Sequence, residues 1–412
     1  MIIQLVETLL WSSLLGVVAV RPWVLDLPER VPMIQWIGLF AALVWWIRNS
    51  RSRRGLPPSL TLPCLVLCLA FLVSGVGGHE RSAVLTQGHG LGFGMLLCAS
   101  VALASQFQRR QLCWILLGTG TLLSVHALWQ ACILFPALAN FPWDRLAGEG
   151  PWHHIPDHTI EYAAAVIQRR RVFGPFPLPG LLGAALGMLL PLSVATLTPV
   201  STTPLRRLIA GAVCGLQTAA LLLTQSLAAI GSACAAVMLV LVLRRSAWRA
   251  KLAIACVAVV SIGTLLAVRP ELSDPAHPRN PIVQRWRYWS STVQMIRERP
   301  LRGFGAGNYA QAYPRYRRPS ATDTRFAHNA LLHVWAEWGV LGAIGLLGLF
   351  IGSVRLAARQ PPGHQVAVWV FWFMAFIDVA WSFPQLACLW WTLLGLSTMS
   401  ADGSDEAAVG RA

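Results

Sequence analysis

His328, Asn329 and a dense set of arginines between residues 269 and 328 are the side chains of this chain best equipped for chemistry. An imidazole can take the proton from a weak hydroxyl nucleophile near neutral pH. Guanidinium groups stabilise the negative charge that builds on a departing phosphate. The interval holds eleven arginines (Arg269, Arg279, Arg285, Arg287, Arg297, Arg299, Arg302, Arg315, Arg317, Arg318 and Arg325) against Glu271, Asp274, Glu298 and Asp323, a net +7. It holds no lysine, and Lys251 is the chain's one lysine. Planar forks suit bidentate phosphate contacts, although high genomic GC content gives the same bias. For any single arginine a solvated basic face or contact with anionic lipid headgroups is the simpler reading; for the group, phosphate recognition is favoured.

These side chains need elements to hold them. Ile282, Trp286, Trp289, Val293 and Ile296 recur at helical spacing, which predicts an amphipathic helix over 282–298 stopped by Pro300. At about 100° per residue Arg285 lies at the edge of the apolar stripe and suits a buried role, whereas Arg287 points to the solvated face. The run Gly303-Phe-Gly-Ala-Gly307 has no flanking strand and helix of the dinucleotide-binding kind, so it reads as a sharp backbone turn. His328 then stands at the mouth of an apolar span. Glu337, nine residues on, lies about 180° around that helix and some 13 Å along it, facing His333 and not His328. Asp378 is a second acid inside an apolar run, with no partner visible in the sequence.

The scaffold is a membrane one. Hydrophobic residues make up 55% of the 412, charged residues 12%, with 19 Trp, and the mean hydropathy is +0.56, which excludes an ordinary soluble globule. Apolar runs at 2–20, 32–47, 58–75, 91–107, 112–134, 175–198, 208–224, 226–243, 251–268, 329–354, 364–381 and 386–400 predict an all-α polytopic bundle of about twelve helices. Glu7, and the lack of a basic start or small-residue cleavage site, make the first run a span and not a signal peptide. The nine cysteines lie in or beside apolar runs and read as small apolar residues. Trp45, Trp46, Trp372, Trp381, Trp390 and Trp391 read as interfacial belts.

Short connections 48–54, 107–111, 199–207, 244–251 and 355–363 carry 4, 2, 2, 4 and 2 Lys or Arg, against 2 and 1 for 21–31 and 76–90. The bias predicts cytoplasmic termini and puts the long loops 135–174 and 269–328 outside. The organisation is then helices one to nine over 1–268, an outer loop at 269–328, helices ten to twelve over 329–400, and a disordered tail at 401–412. Charge on the outer side, and the lack of a nucleic-acid motif, argue against a nucleic-acid partner. In the first long loop His154, His158 and Glu161 would share one face if helical, a metal constellation or simply a polar loop. Tyr309, Tyr313 and Tyr316 suit glycan stacking or anchoring at the bilayer surface.

Arg285-x3-Trp289, Pro300-Leu-x-Gly-Phe-Gly-Ala-Gly307, and His328-Asn329 followed by Glu337-Trp-Gly339 resemble, in order and spacing, the O-antigen ligase and O-antigen polymerase family of bacterial membrane glycan transferases. These motifs span roughly 60 residues, and the hydropathy layout extends the likeness over most of the chain. The resemblance implies a metal-independent, cofactor-free glycosyltransferase in the bacterial inner membrane with a periplasmic site. It would move a polyprenyl-pyrophosphate-linked glycan onto an acceptor hydroxyl, with lipid A-core as the acceptor of a ligase. A donor that carries its own activation fits an outward-facing enzyme with no nucleotide sugar at hand.

In that scheme His328 is the general base and Arg285 the main stabiliser of the leaving pyrophosphate, with Arg171, Arg302, Arg81, Arg287 and Asn329 contributing to substrate binding and membrane lipids surrounding the spans. Two departures stand out. Gly180 occupies the asparagine position that opens a helix after the Gly-x-Phe turn, and Leu227 replaces the arginine of the family's Thr-x-Ser-Arg-Gly motif within Leu223-Thr-Gln-Ser-Leu-Ala-Ala229. Arg171, Arg81 or Arg302 would have to substitute in space. A polymerase, a protein O-oligosaccharyltransferase and a non-catalytic transporter of lipid-linked glycans are the alternative readings.

Overall fold

Apolar runs with few charges can satisfy their backbone within a bilayer only as helices, and the computed structural model is all-α, without a strand among its described residues. It describes residues 2–24, 33–49, 56–75, 81–139, 141, 157–200, 203–277 and 280–398. The first helices are α1 (Ile2–Val20), α2 (Met33–Asn49), α3 (Pro58–Gly75), α4 (Arg81–Ala102) and α5 (Gln106–Trp129). The last of these runs through a π-helical turn at Gln130–Leu134 into the short α6 (Phe135–Leu138). Then come α7 (Asp157–Gln168), α8 (Pro179–Leu197), α9 (Pro204–Leu223), α10 (Leu227–Leu243) and α11 (Trp248–Val268). The outer loop contributes α12 (Pro281–Glu298) and α13 (Tyr309–Ala312), and α14 (Ala330–Ala357), α15 (Pro362–Ile377) and α16 (Pro384–Leu396) finish the chain. Among the described residues seven helices are long and apolar enough to cross a membrane, and α10 and α15 are shorter apolar helices. The tail from 401 and His154 lie outside the described residues.

The helix α8 is the most enclosed of the spans and packs against α5, α10 and α15, whereas α9 and α11 leave most of their apolar side chains exposed, as lipid-facing helices do. The tightest pairing is α14 against α3. It rests on glycines: a Cβ added at Gly345 would lie 2.8 Å from the Leu67 side chain, one at Gly348 3.0 Å from Pro63, and one at Gly352 2.2 Å from the Ser59 carbonyl oxygen. Two apolar helices gain nothing from hiding in each other when lipid is equally apolar, so close backbone approach and dispersion supply the affinity.

Inside α14 the helix breaks at Gly339, whose φ of +70° is open to glycine and strained for other residues. The break frees backbone groups, and the turn after α12 takes them up. Phe304 and Gly305 donate to the Ala336 and Glu337 carbonyls at 2.8 and 2.9 Å, Val340 donates to the Pro300 carbonyl at 3.0 Å, and so does the Trp335 indole at 3.0 Å. A Cβ at Gly339 would stand 2.0 Å from the Leu301 carbonyl oxygen and one at Gly303 2.4 Å from that of Glu337, so both glycines are needed for contact.

Several sequence expectations change. The face α12 buries is Gln284, Tyr288, Ser291, Thr292, Met295 and Ile296, while Ile282 and Trp286 of the expected stripe are exposed, Trp286 by 69%. Tyrosine and threonine win the inner face because the outer loop has its own small core with hydrogen-bonding partners. Tyr309 and Tyr313 are fully buried in it, stacked at 5.6 Å, so neither is a glycan platform or a bilayer anchor. Of the six tryptophans expected in interfacial belts, Trp45, Trp372, Trp390 and Trp391 are buried among helices, where Phe371 stacks on Trp390 at 4.7 Å. The cysteines are all free, and although Cys64, Cys98 and Cys388 are buried, Cys132 and Cys256 face outward.

The α3–α14 contact yields a paired test. Gly352→Ala must displace the Ser59 backbone and should lower thermal stability by about 1–3 kcal/mol, as overpacking does. Gly215→Ala in α9, where a Cβ meets nothing within 4 Å, should be neutral or slightly stabilising. Thermal unfolding of the two purified variants reads the difference.

Candidate active site

The acid without a partner in the sequence is the hub where α12, α14 and α15 come together. Asp378 lies just beyond the last residue of α15 and is nearly enclosed. Its Oδ2 accepts from Arg285 Nη2 at 2.7 Å, and its Oδ1 lies 3.1 Å from His328 Nδ1 and accepts the Val379 amide at 2.9 Å. Burial alone would raise this carboxyl, but the Arg285 charge and the His328 hydrogen bond outweigh it and hold Asp378 well below the ordinary carboxylate range. Three elements therefore converge through one carboxylate.

Local chemistry sets each arm. Asn280 caps α12 by accepting from the Ile282 and Val283 amides at 3.0 and 3.2 Å, with Pro281 preorganised in the first turn, and this starts the helix so that Arg285 faces α15. Asn329 caps α14 by accepting from the Leu332 amide at 3.0 Å, and its Nδ2 donates to the Phe376 carbonyl at 2.8 Å. It thereby ties the start of α14 to the end of α15, two residues from Asp378. His328, one residue before the cap, takes a left-handed φ of +53°. The strained backbone is held from both sides: Trp289 Nε1 donates to the His328 carbonyl at 3.2 Å, and the Tyr288 ring stacks on the imidazole at 5.2 Å with 24° between planes. With Nδ1 on Asp378, Nε2 is the ring nitrogen left for another partner, and the side chain is 23% exposed.

A second basic locus borders the first, at the turn between α9 and α10. Arg171 is 9% exposed and its Nε donates to the Thr224 carbonyl at 3.4 Å, while Arg269 Nη1 donates to the Gln225 carbonyl at 3.0 Å. Burial and the like charge of Arg269 pull Arg171 down to about 10. Glu271 pairs with both Arg169 and Arg269, the latter at 3.0 Å; burial would raise it, but backbone and arginine hydrogen bonds hold it lower. Ser226 caps α10, and Leu227 packs against the core. The two loci meet at Gly180 in the first turn of α8, where a Cβ would lie 3.4 Å from both Asp378 Oδ2 and Ser226 Oγ.

The other expected residues are placed differently. Arg287 spans the loop to the Ser320 carbonyl at 2.7 Å. Arg302 is exposed in a groove beside the end of α3 and makes no contact with the Arg285–Asp378–His328 cluster. Arg81 opens α4, where its side chain falls outside the described residues, as do those of His158 and Glu161. Among the described residues no three His, Cys, Asp or Glu gather as a metal site. Glu337 sits apart from His328 in a polar knot, accepting the Tyr309 amide at 2.9 Å and Gln87 Nε2 at 3.0 Å, with His333 Nε2 3.7 Å away. What sequence reading left open was Asp378; its signal was an acid set between Ile377 and Val379 in an apolar run.

Against known families, residues 211–347 match the model described as O-antigen ligase. That interval runs from α9 through the outer loop into α14 and so contains Ser226, Arg269, Arg285 and His328. No curated protein matches the chain significantly. The matched segment carries the arginine-rich loop, the His328-Asn329 cap and the Glu337-Trp-Gly339 break, so over these residues the chain is similar to the O-antigen ligase family.

Proposed function

We propose that this protein transfers a glycan from a polyprenyl-pyrophosphate carrier to an acceptor hydroxyl outside the cytoplasm of a bacterium, with lipid A-core as the acceptor in lipopolysaccharide assembly. The match of residues 211–347 to the O-antigen ligase model supports a membrane glycosyltransferase of the ligase and polymerase type. One observation carries the mechanism: a single buried carboxylate grips a histidine and an arginine at 3.1 and 2.7 Å.

In this reading Asp378 holds the tautomer of His328 that keeps the proton on Nδ1, which leaves a lone pair on Nε2, the logic of an aspartate–histidine pair. The acceptor hydroxyl gives its proton to Nε2 while its oxygen bonds to the anomeric carbon of the donor sugar. The bond from that carbon to the pyrophosphate oxygen breaks, and the electron pair leaves with the polyprenyl pyrophosphate. Arg171, two residues from Phe173 in the turn leading to α8, faces the developing charge together with Arg285, and the partial positive charge of the α8 N-terminus acts in the same sense. Arg171 and Arg269 at the α9–α10 turn supply guanidinium groups where Leu227 supplies none. Membrane lipids surround the spans, both termini lie in the cytoplasm and the site opens to the periplasm.

In a deletion strain of the source bacterium, wild type should restore glycan on the acceptor, and His328→Ala should leave long polymer stranded on the lipid carrier. With purified protein, His328→Ala should cost about 10²–10⁴-fold in transfer rate, and Asp378→Asn should impair transfer while donor binding survives. Full rescue by His328→Ala would remove the base assignment, and surface acceptor carrying a single repeat would make the protein a polymerase. Because arginine carries the leaving-group charge here, transfer should continue undiminished in EDTA; a loss restored by a divalent cation would reject that scheme.

A further inference from the structure

A groove of about 650 Å³ lies between the outer end of α3 and the turn that follows α12, lined by Val73, Ser74, Arg299, Leu301, Arg302 and Phe304. Its depth can be read from helix packing. Gly352 meets Ser59, Gly345 meets Leu67, and Trp338 meets Phe71 at 5.5 Å between ring centroids, so α14 and α3 run antiparallel, with the last turn of α3 opposite the region just before Trp338. The turn is pinned at that same level by its hydrogen bonds to Ala336, Glu337 and Val340. His328 stands eight residues before Ala336, about 12 Å further out at 1.5 Å per residue. The groove therefore sits where the apolar length of α3 ends, at the level of lipid phosphates, and the reaction cluster lies above it.

Its chemistry matches that depth. Leu301 is 71% exposed beside Val73, an apolar floor that water would penalise and acyl chains would not. Arg299 and Arg302 are exposed at the rim, and neither is in a salt bridge among the described residues. The Arg299 guanidinium lies 4.7 Å over the Phe304 ring, which fixes its plane and leaves its edge for an anion. Two cations above a small apolar floor complement a phosphate headgroup with a hydrocarbon tail. A volume within the roughly 300–1,000 Å³ of small-molecule clefts admits a headgroup and the first methylenes.

We infer that this groove binds one anionic phospholipid of the outer leaflet, whose phosphate bridges Arg299 and Arg302 and whose acyl chain follows Leu301 and Val73 down α3. The lipid would brace the turn that clips onto the broken α14, so the base of the outer loop is anchored by lipid as well as by backbone hydrogen bonds. The inference needs only the membrane reading and stands whether or not transfer is the protein's activity.

The test uses the full-length protein stripped of lipid in neutral detergent and native mass spectrometry. One phosphatidylglycerol should be retained in preference to phosphatidylcholine, and Arg299→Gln/Arg302→Gln should abolish that preference. Arg302→Gln alone, which leaves the Arg299–Phe304 stack intact, should weaken retention by about fivefold, the effect of one surface guanidinium on an anionic lipid. Arg355→Gln at the other end of α14 should change nothing. Equal retention by wild type and double variant, or equal affinity for the two lipids, would overturn the proposal. So would displacement of the lipid by millimolar inorganic phosphate, which would mark a site for free phosphate.

Discussion

The half of the molecule that holds the Asp378 cluster depends on a broken helix and the turn that repairs it. A membrane helix normally satisfies its own backbone, and a break at bilayer depth leaves donors and acceptors that lipid cannot answer. At Gly339 the answer comes from Pro300, Phe304 and Gly305, whose backbone groups replace the lost helical bonds. The closeness of the fit, with no room for a Cβ at Gly303 or Gly339, turns two otherwise independent pieces into one rigid unit. Since α12 leads directly into that turn, the position of Arg285 relative to α14 follows from it, and His328 starts the same helix. A hydrogen-bond repair thus sets the distance between the two side chains that Asp378 joins.

Electrostatics then decide what those side chains are. An isolated carboxylate at the mouth of a bilayer would be costly; Asp378 is tolerable because Arg285, His328 and the Val379 amide all address it. The arrangement is more than mutual neutralisation. A pair of opposite charges would suffice for stability, whereas the third partner is an imidazole in a strained backbone, stacked by Tyr288 and held through its carbonyl by Trp289. Strain that several elements conspire to maintain is a feature of sites more than of scaffolds.

Much of this was legible in the residues. The all-α polytopic bundle follows from hydropathy, because the bilayer punishes every alternative, although seven and not about twelve of the described helices are long and apolar enough to cross. The extent of α12 follows from helical periodicity over 282–298 and the stop at Pro300, and the pairing of His333 with Glu337 from spacing alone. Three things were not legible, each for a physical reason. The buried face of α12 is aromatic and hydroxylic because its partner is another loop segment, so hydrophobicity counted the wrong residues: Trp286 is outside and Tyr288 inside. The tryptophans at span ends pack on one another because helix ends here meet helices, and a single sequence does not reveal what a helix end meets. Asp378 lies 93 residues from Arg285 and 50 from His328, and such long-range convergence leaves no local trace.

The departures at 180 and 227 acquire one physical explanation. Both positions border the same small space: a side chain at 180 would reach Asp378 and Ser226, and Leu227 follows Ser226. An arginine at 227 would have carried charge into a turn already occupied by Arg171 on the Thr224 carbonyl and Arg269 on the Gln225 carbonyl. Burial first and the like charge of Arg269 second already lower Arg171, and one acid, Glu271, serves both Arg269 and Arg169. Leucine at 227 relieves that crowding while two guanidinium groups remain at the turn. Arg171, from the loop before α8, and Arg269, at the end of α11, thus bring to the α9–α10 turn the positive charge that the first turn of α10 does not carry.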